Sequence, residues 1–473
     1  MVVVTDTVVI PEFDVRRYGM VDPTGVIDST AAFQAAITAA ALGTVVVPPG
    51  TFVCGSLTPH SGLRFMGSGK GITIIKALAG AHTLFDTSTF YLTDVEVCDL
   101  TYDGTNQTAG QPGIEFVLGS RIAVRRCRII KTTAVGLEFY IGTECVAEDN
   151  DIESAVSDGI RLGGSPNTNC RIINNKVLNS GGIGINGQGT GTIVSGNTVA
   201  GSGTIGIAMS GSVSNTVADN VVTTSADNGI DIGQSFHMTV IGNTVNGALS
   251  GLDMDMAGAA AGTYCGNSFV ANTLLACTDA GITLTSNNGV VGCVVQGNTI
   301  DTPTSGGIWL TNIGRTVVNG NVVYNSPNGV ALTGASHLTV SENEFLDDRG
   351  GSSVLVAVHY NSGCSYNTFT GNDFSLVHAI TSGGIPATDI YRGNPGYNPV
   401  GHAVAQPVVP STTVAATNTT NVDCTVFVNG GTVTVVAIGG STTGQVAGAF
   451  RVPAGQTITL TYSIAPTWQW FGD

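Results

Sequence analysis

GNTVAGSGTIGIAMSGSVSNTVADNVVTTSADNGIDIGQSFHMTVIGNTV, residues 196–245, says the same thing more than once. Asn-x-(apolar) occurs at Asn197, Asn220 and Asn243, and Gly-Ile-x-(apolar) at 206 and 229. Outward from this stretch the Asn phrase continues at Asn150, Asn175, Asn272, Asn298, Asn321, Asn343 and Asn372. The steps from Asn150 onward are 25, 22, 23, 23, 29, 26, 23, 22 and 29, and Cys127 and Cys98 extend the series backwards. The second phrase runs in parallel as GIEF at 113, GLEF at 136, GIRL at 159, GLDM at 251, GITL at 281, GIWL at 307 and GVAL at 329, with GIGI near 182 to 185 filling the gap less cleanly. Each repeat therefore holds two or three short β-strands between Gly, Asn and Ser turns. A repeat of this length with β-branched strands predicts a solenoid whose turns lie ~4.8 Å apart. The repeated Asn is expected to be an internal ladder whose amides bond each other and the buried turn backbone. A leucine-rich repeat does not fit, since LxxLxL is absent and no repeat has room for a helix.

Composition agrees. The chain has 473 residues, of which 65 are Gly, 42% are hydrophobic and only 11% charged. A disordered chain would be richer in charge, and collagen would need Gly at every third position. Only four Lys occur, too few basic residues to coat a helical bundle. The formal net charge of −16 argues against nucleic acid as a partner and against anionic membranes. A neutral or weakly charged glycan fits that balance better than a strongly anionic one. MVVVTDTVVI at the start has no basic n-region and is interrupted by Asp6, so no signal peptide is expected. No run of 18 apolar residues predicts a membrane span. The ten Cys show no CxxC and no zinc spacing, and read as reduced, buried apolar residues.

The ends differ from the middle. DSTAAFQAAITAAA, residues 28–41, predicts a helix capped by Asp28 or Ser29, with Phe33, Ile37 and Ala40 on one face. Such a helix would close the open end of the solenoid. The expected organisation is an N-terminal cap over 1–50, a β-helix over 51–390, a linker over 391–410 and a small β-sandwich-like domain over 411–473, for trimerisation or binding. Asn429-Gly430-Gly431 predicts a hairpin in that last domain, which ends in an aromatic tail at Trp468, Trp470 and Phe471.

FDVRRYGMVDPTGVIDSTAAFQAAI followed by TVVVPPGTF resembles the opening of pectate-lyase-like right-handed parallel β-helix proteins, among them phage tailspikes and related glycan-cleaving enzymes. Val21-Asp22-Pro23-Thr24-Gly25 replaces the usual acidic Gly-Asp-Gly turn. The resemblance covers roughly residues 12–385. It implies an all-β right-handed β-helix, a homotrimer, a virion-tail or extracellular location, and a glycan cleft on the outer face of one sheet. The motif set of the polygalacturonase branch is absent.

Side chains alternate along a strand, so the outward residue of each Gly-Ile-x-Leu strand can be read directly. The column is Glu115, Glu138, Arg161, Asn186, Ala208, Asp231, Asp253, Thr283, Trp309 and Ala331. Asp231 and Asp253 should sit on adjacent turns, with Asp255 two residues along the same strand. Crowded carboxylates cannot all ionise easily, which yields one acid and one base, the minimum for glycoside hydrolysis. The bland alternative is three solvated acids, or a calcium site. Asp227 at the strand entrance reads first as a turn residue and second as a substrate contact.

Glu138 and Arg161, with Asp158 and Glu115 beside them, read as a surface ion pair, or as substrate contacts in which Arg161 could serve a lyase as base. Trp309 is expected to stack on a sugar or to pack at a trimer interface. His237 and His337 recur at one repeat position, which favours a structural role, though His237 is the His nearest to Asp231. No cofactor or metal is expected. The reading is a glycoside hydrolase-like polysaccharide depolymerase. The alternatives are a glycan-binding tail protein without catalysis, and a lyase or epimerase.

Overall fold

The computed structural model describes residues 12–88, 91–350, 354–397 and 403–473. The MVVVTDTVVI segment and part of the expected linker lie outside them. The described chain is all-β apart from one α-helix and short 3-10 turns such as Val15–Arg17, and none of its helices is long and apolar enough to cross a membrane. It divides into two compact units. One runs to Asp255 and takes in Asn272–Thr278, and the other contains Met256–Ala271 and Asp279–Asp473.

The first unit is a parallel β-solenoid with three strands per turn through most of its length. One turn holds Thr216–Ala218, Val221–Thr223 and Ile230–Asp231, and the next holds Thr239–Ile241, Thr244–Asn246 and Leu252–Asp255. Each strand pairs in parallel with its copy on the following turn. The inward residues Val217, Val222, Ile230, Val240, Val245 and Leu252 are at most 1% exposed. Each such side chain stabilises the fold by about 1.5–3 kcal/mol. Between the first and second strand of a turn the chain bends in two residues. The first is left-handed, as at Asp219 (φ 55°) and Gly242 (φ 67°), and the second is the repeated Asn. Gly, Asn and Asp recur before that Asn because they tolerate this backbone conformation best.

The repeated Asn forms the expected ladder. Asn220 donates from its backbone N–H (3.0 Å) and from Nδ2 (2.9 Å) to Oδ1 of Asn243, while Nδ2 also reaches the Val194 carbonyl at 3.0 Å. The same pattern links Asn150, Asn175, Asn197 and Asn220. Cys127 occupies the ladder position one turn earlier, its N–H donating to Asn150 Oδ1 at 2.9 Å. Cys98 does not continue the series. Arg128 pairs with Thr101, which places Leu100 opposite Cys127, and Cys98 lies two residues back inside a strand, opposite Arg125.

The helix spans Thr30–Ala40 and buries Ala32, Phe33, Ala36, Ile37 and Ala40. Asp28 Oδ1 accepts from the Thr30 N–H at 2.9 Å. Phe33 packs on Phe52 and Phe65, with ring centroids 5.5 and 6.3 Å away, and so starts an aromatic column that runs through Phe85 and Phe116 to Phe139. Asp22 ties the preceding turn by accepting from the Thr24 hydroxyl at 2.6 Å and from the backbone of Thr24, Val26 and Ile27, which together hold its carboxyl well below the usual range.

The second unit repeats the plan. Gly306–Gly314, Asn328–Thr333 and Val356–Tyr360 are successive strands of one parallel sheet, and Asn298, Asn321, Asn343, Asn372 and Asn394 form its ladder. The solenoid sheet reaches Ile390–Arg392, into the segment expected to be linker. Beyond it lie two antiparallel sheets. One has Ala415–Thr417, Thr457–Ile464, Thr432–Ile438 and Ser441–Thr442, and the other has Gly448–Val452, Cys424–Asn429 and Thr467–Gly472. Asn429-Gly430-Gly431 is therefore not a hairpin turn. The strands it joins belong to different sheets, and its two left-handed glycines carry the chain across. All ten Cys are buried and unbridged.

Candidate active site

Asp231 and Asp253 are register partners on adjacent strands of the third sheet. The column Glu115, Glu138, Arg161, Asn186, Ala208, Asp231, Asp253 runs through the first unit in the predicted order, each residue paired with the next. Leu252 and Met254 are fully buried, while Asp253 is half-buried and Asp255 exposed, so the two acids of that strand share its outer face. A strand spacing of ~4.8 Å separates the Asp231 and Asp253 backbones.

Their environments differ. Asp231 Oδ1 accepts from the Gly233 N–H at 2.6 Å and from Ser210 Oγ at 3.4 Å, and both donors favour the ionised form. Burial works against them and leaves the Asp231 carboxyl raised overall. The Asp253 carboxyl, by contrast, accepts no hydrogen bond from a described residue. Burial, reinforced by the charges of Asp231, Asp255 and Asp227, pushes its carboxyl up to about 7. Of the two, Asp253 is the acid that can still carry a proton as pH approaches neutrality. Many of the scarce basic residues are paired elsewhere, as in the alternating row Arg64, Glu96, Arg125, Glu148 on the first sheet.

Glu138 and Arg161 come together, but not at the surface. Glu138 is 1% exposed, and both its oxygens are taken by Arg161, Nε at 2.7 Å and Nη2 at 2.8 Å. Gly163 lies so close that a Cβ there would collide with Glu138 Oε1. The expected surface pair is thus a buried carboxylate with a half-exposed guanidinium. Glu138 cannot reach a substrate, and Arg161 is held by it rather than poised as a base.

Asp227 sits in the turn before the strand, its N–H on the Thr204 carbonyl and its own carbonyl accepting from Leu249. It acts on the acid pair through its charge. His237 is exposed in a left-handed turn (φ 56°), as is His337 (φ 55°) at the same repeat position. Trp309 lies in the second unit, half-buried and outward, in register with Thr283 and Ala331. Ser210 and Gly233 escaped the sequence reading. Their signal is positional, since each stands two residues after a column residue, Ala208 and Asp231.

Residues 158–312 match the family described as right handed beta helix region, and residues 255–385 match periplasmic copper-binding protein (NosD). No curated protein matches the chain. Among the described residues no three His, Cys, Asp or Glu side chains are grouped to hold a metal ion. Among solved structures, the catalytic unit of a GH87 α-1,3-glucanase from Streptomyces thermodiastaticus is 22% identical with a TM-score of 0.56, over 81% of this chain and 69% of that one. A tailspike protein mutant of E. coli bacteriophage HK620, in complex with pentasaccharide, is 13% identical with a TM-score of 0.56, over 98% and 93%. The A-module of mannuronan C-5 epimerase AlgE6 from Azotobacter vinelandii is 16% identical with a TM-score of 0.51, over 83% and 100%. At these identities the likeness is one of fold.

Proposed function

We propose that this protein hydrolyses a polysaccharide of neutral or weakly charged sugars, with Asp253 as proton donor and Asp231 as the ionised partner. The observation that carries the reading is the registered, half-buried pair in which burial and the neighbouring carboxylates push Asp253 up to about 7, while Asp231 has the Gly233 N–H to hold its charge. An acid that keeps its proton beside a carboxylate that stays charged is what glycosidic cleavage requires. The ~4.8 Å spacing of adjacent strands favours the ~5–5.5 Å carboxyl separation of retaining enzymes over the wider gap of inverting ones.

In that sequence Asp253 gives its proton to the glycosidic oxygen as the bond to the anomeric carbon breaks. Asp231 attacks that carbon and forms a glycosyl ester. The Asp253 carboxylate then takes a proton from water, whose oxygen displaces Asp231 and restores both groups. Asp255 and Asp227 add negative potential that favours the cationic sugar of the transition state. The assembly that goes with this reading is a homotrimer on a virion tail or outside a cell, as the resemblance of the opening segment implies.

The test is release of reducing ends from a panel of neutral polysaccharides, with the anomer followed by NMR. Asp231→Asn and Asp253→Asn should each abolish release, and the first product should keep the substrate's anomeric configuration. Full activity in both variants overturns the assignment. No release from any glycan leaves a binding protein, and a product absorbing as an unsaturated sugar makes it a lyase.

A further inference from the structure

The second unit carries a cavity of 320 Å³ on its third sheet that the acid pair does not use. Its geometry follows from register. Trp309, Ala331 and His359 are consecutive partners across three strands, so the indole and the imidazole stand two strand spacings, about 10 Å, apart. Between them Ala331 contributes only a methyl group. Two large rings with a small residue between make a notch, with Ala331 as its floor.

We propose that this notch binds one uncharged sugar ring of a glycan, stacked on Trp309. The indole is fixed in place. Its Nε1 is buried without an acceptor and packs so closely on Gly306 that a Cβ there could not be accommodated. The ring therefore offers its π surface rather than its N–H, which suits the C–H face of a pyranose. The opposite wall is polar and held. His359 Nδ1 lies 2.6 Å from Ser382 Oγ and Nε2 lies 3.2 Å from Asn361 Oδ1, while Asn361 Nδ2 donates to Thr333 Oγ1 at 3.0 Å. Asn328 donates from Nδ2 to the Ser305 carbonyl at 2.9 Å, which leaves its Oδ1 to accept from a hydroxyl. The lining holds no carboxylate and no Lys or Arg. An anionic sugar would find no counter-ion there, and the chain's net charge of −16 would repel it. An aromatic platform with a few oriented polar groups is the usual make-up of a small-ligand site. The choice of a sugar as ligand rests on the glycan-active reading above; the binding itself does not depend on cleavage.

The probes are maltohexaose, cellohexaose and mannohexaose, with hexagalacturonate as the anionic contrast, titrated by calorimetry and by Trp fluorescence. The chain's other two Trp, Trp468 and Trp470, are 6% and 0% exposed, so a ligand-induced change reports Trp309. At least one neutral hexasaccharide should bind and alter the emission, while hexagalacturonate should not. Trp309→Ala should weaken binding tenfold or more. Ala331→Leu fills the notch from its floor and should cause the same loss with an unchanged Tm, and Gly306→Ala should weaken binding by displacing the indole. Asp253→Asn should bind as the unaltered protein does even where it no longer cleaves, which separates this site from the acid pair. Binding unaffected by both Trp309→Ala and Ala331→Leu overturns the proposal. So does binding of hexagalacturonate alone, or of none of the three neutral probes at millimolar concentration.

Discussion

Asp253 lies beside Asp231 across one pair of parallel strands, and only Asp231 has a backbone N–H, that of Gly233 at 2.6 Å, to hold its charge. The two acids are the same residue type in neighbouring repeats, yet their surroundings differ, and the proposed reaction uses that difference to make Asp253 the acid and Asp231 its ionised partner. If Asp253 must be protonated to act, kcat/KM should fall as pH rises through about 7. Carboxyl NMR of Asp253 tests the cause directly. Asp231→Asn removes a neighbouring negative charge and should move the Asp253 midpoint to lower pH, and Asp255→Asn should move it in the same direction. A midpoint unchanged in both variants would show that burial alone sets it.

The same proton links the site to stability. The folded Asp253 carboxyl, near 7, binds a proton more tightly than the unfolded one, near 3.8. The native state therefore gains from this group below about pH 4 and loses that gain as pH rises through about 7. Asp253→Asn should be more stable than the unaltered protein at pH 8, by on the order of 1–3 kcal/mol, and nearly equal to it at pH 4. Urea denaturation at the two pH values reads the difference. A variant less stable at pH 8 would mean that the ionised carboxylate has a partner which outweighs its burial.

The outward column was legible because strand side chains alternate with period two and the turns that separate the strands are nearly constant in length. That places Glu115 to Asp253 in order without further information. What alternation does not carry is depth. Glu138 and Asp253 occupy equivalent positions, but Gly163 on the next turn lets Arg161 close over Glu138 and bury it. Local turn chemistry misled at Asn429-Gly430-Gly431, where two left-handed glycines look like a hairpin. Which sheet each flanking strand joins is decided by partners far away, Gly448–Val452 for one and Thr457–Ile464 for the other. Cys98 misled for a related reason, since a residue type can recur near a period without sharing its register.

Glu138 offers a test of burial against charge. Glu138→Ala would leave Arg161 without its two short bonds and open a void beside Gly163. Removing one partner of a buried pair costs about 3–5 kcal/mol when both ends are buried. Arg161 is 35% exposed and can reach water, so a loss of about 2 kcal/mol is expected. Glu138→Gln keeps the shape and should cost less. If denaturation shows no loss in either variant, the pair is ornamental to stability.

The ladder makes the largest stability prediction. Asn220 donates to Asn243 and to the Val194 carbonyl, and its Oδ1 accepts from both the N–H and Nδ2 of Asn197 at 2.9 Å. Asn220→Ala removes that side chain from a fully buried site, leaves the Asn197 backbone N–H without its acceptor, and takes one bond each from the Val194 carbonyl and from Asn197 Nδ2, which keeps the Ile172 and Ser195 carbonyls. A stranded buried group costs about 1–3 kcal/mol, so a total of roughly 2–4 kcal/mol is expected with the weakened bonds included. Asn220→Asp separates shape from donation. It preserves the acceptor and loses both Nδ2 donors, and its negative charge would lie against the Val194 carbonyl and Asn243 Oδ1. It should therefore be at least as destabilising as Ala at pH 8 and recover in part at pH 4, where the carboxyl can take up a proton and donate again. Equal urea midpoints for Asn220→Asp at the two pH values would show that the ladder works by packing rather than by hydrogen bonding.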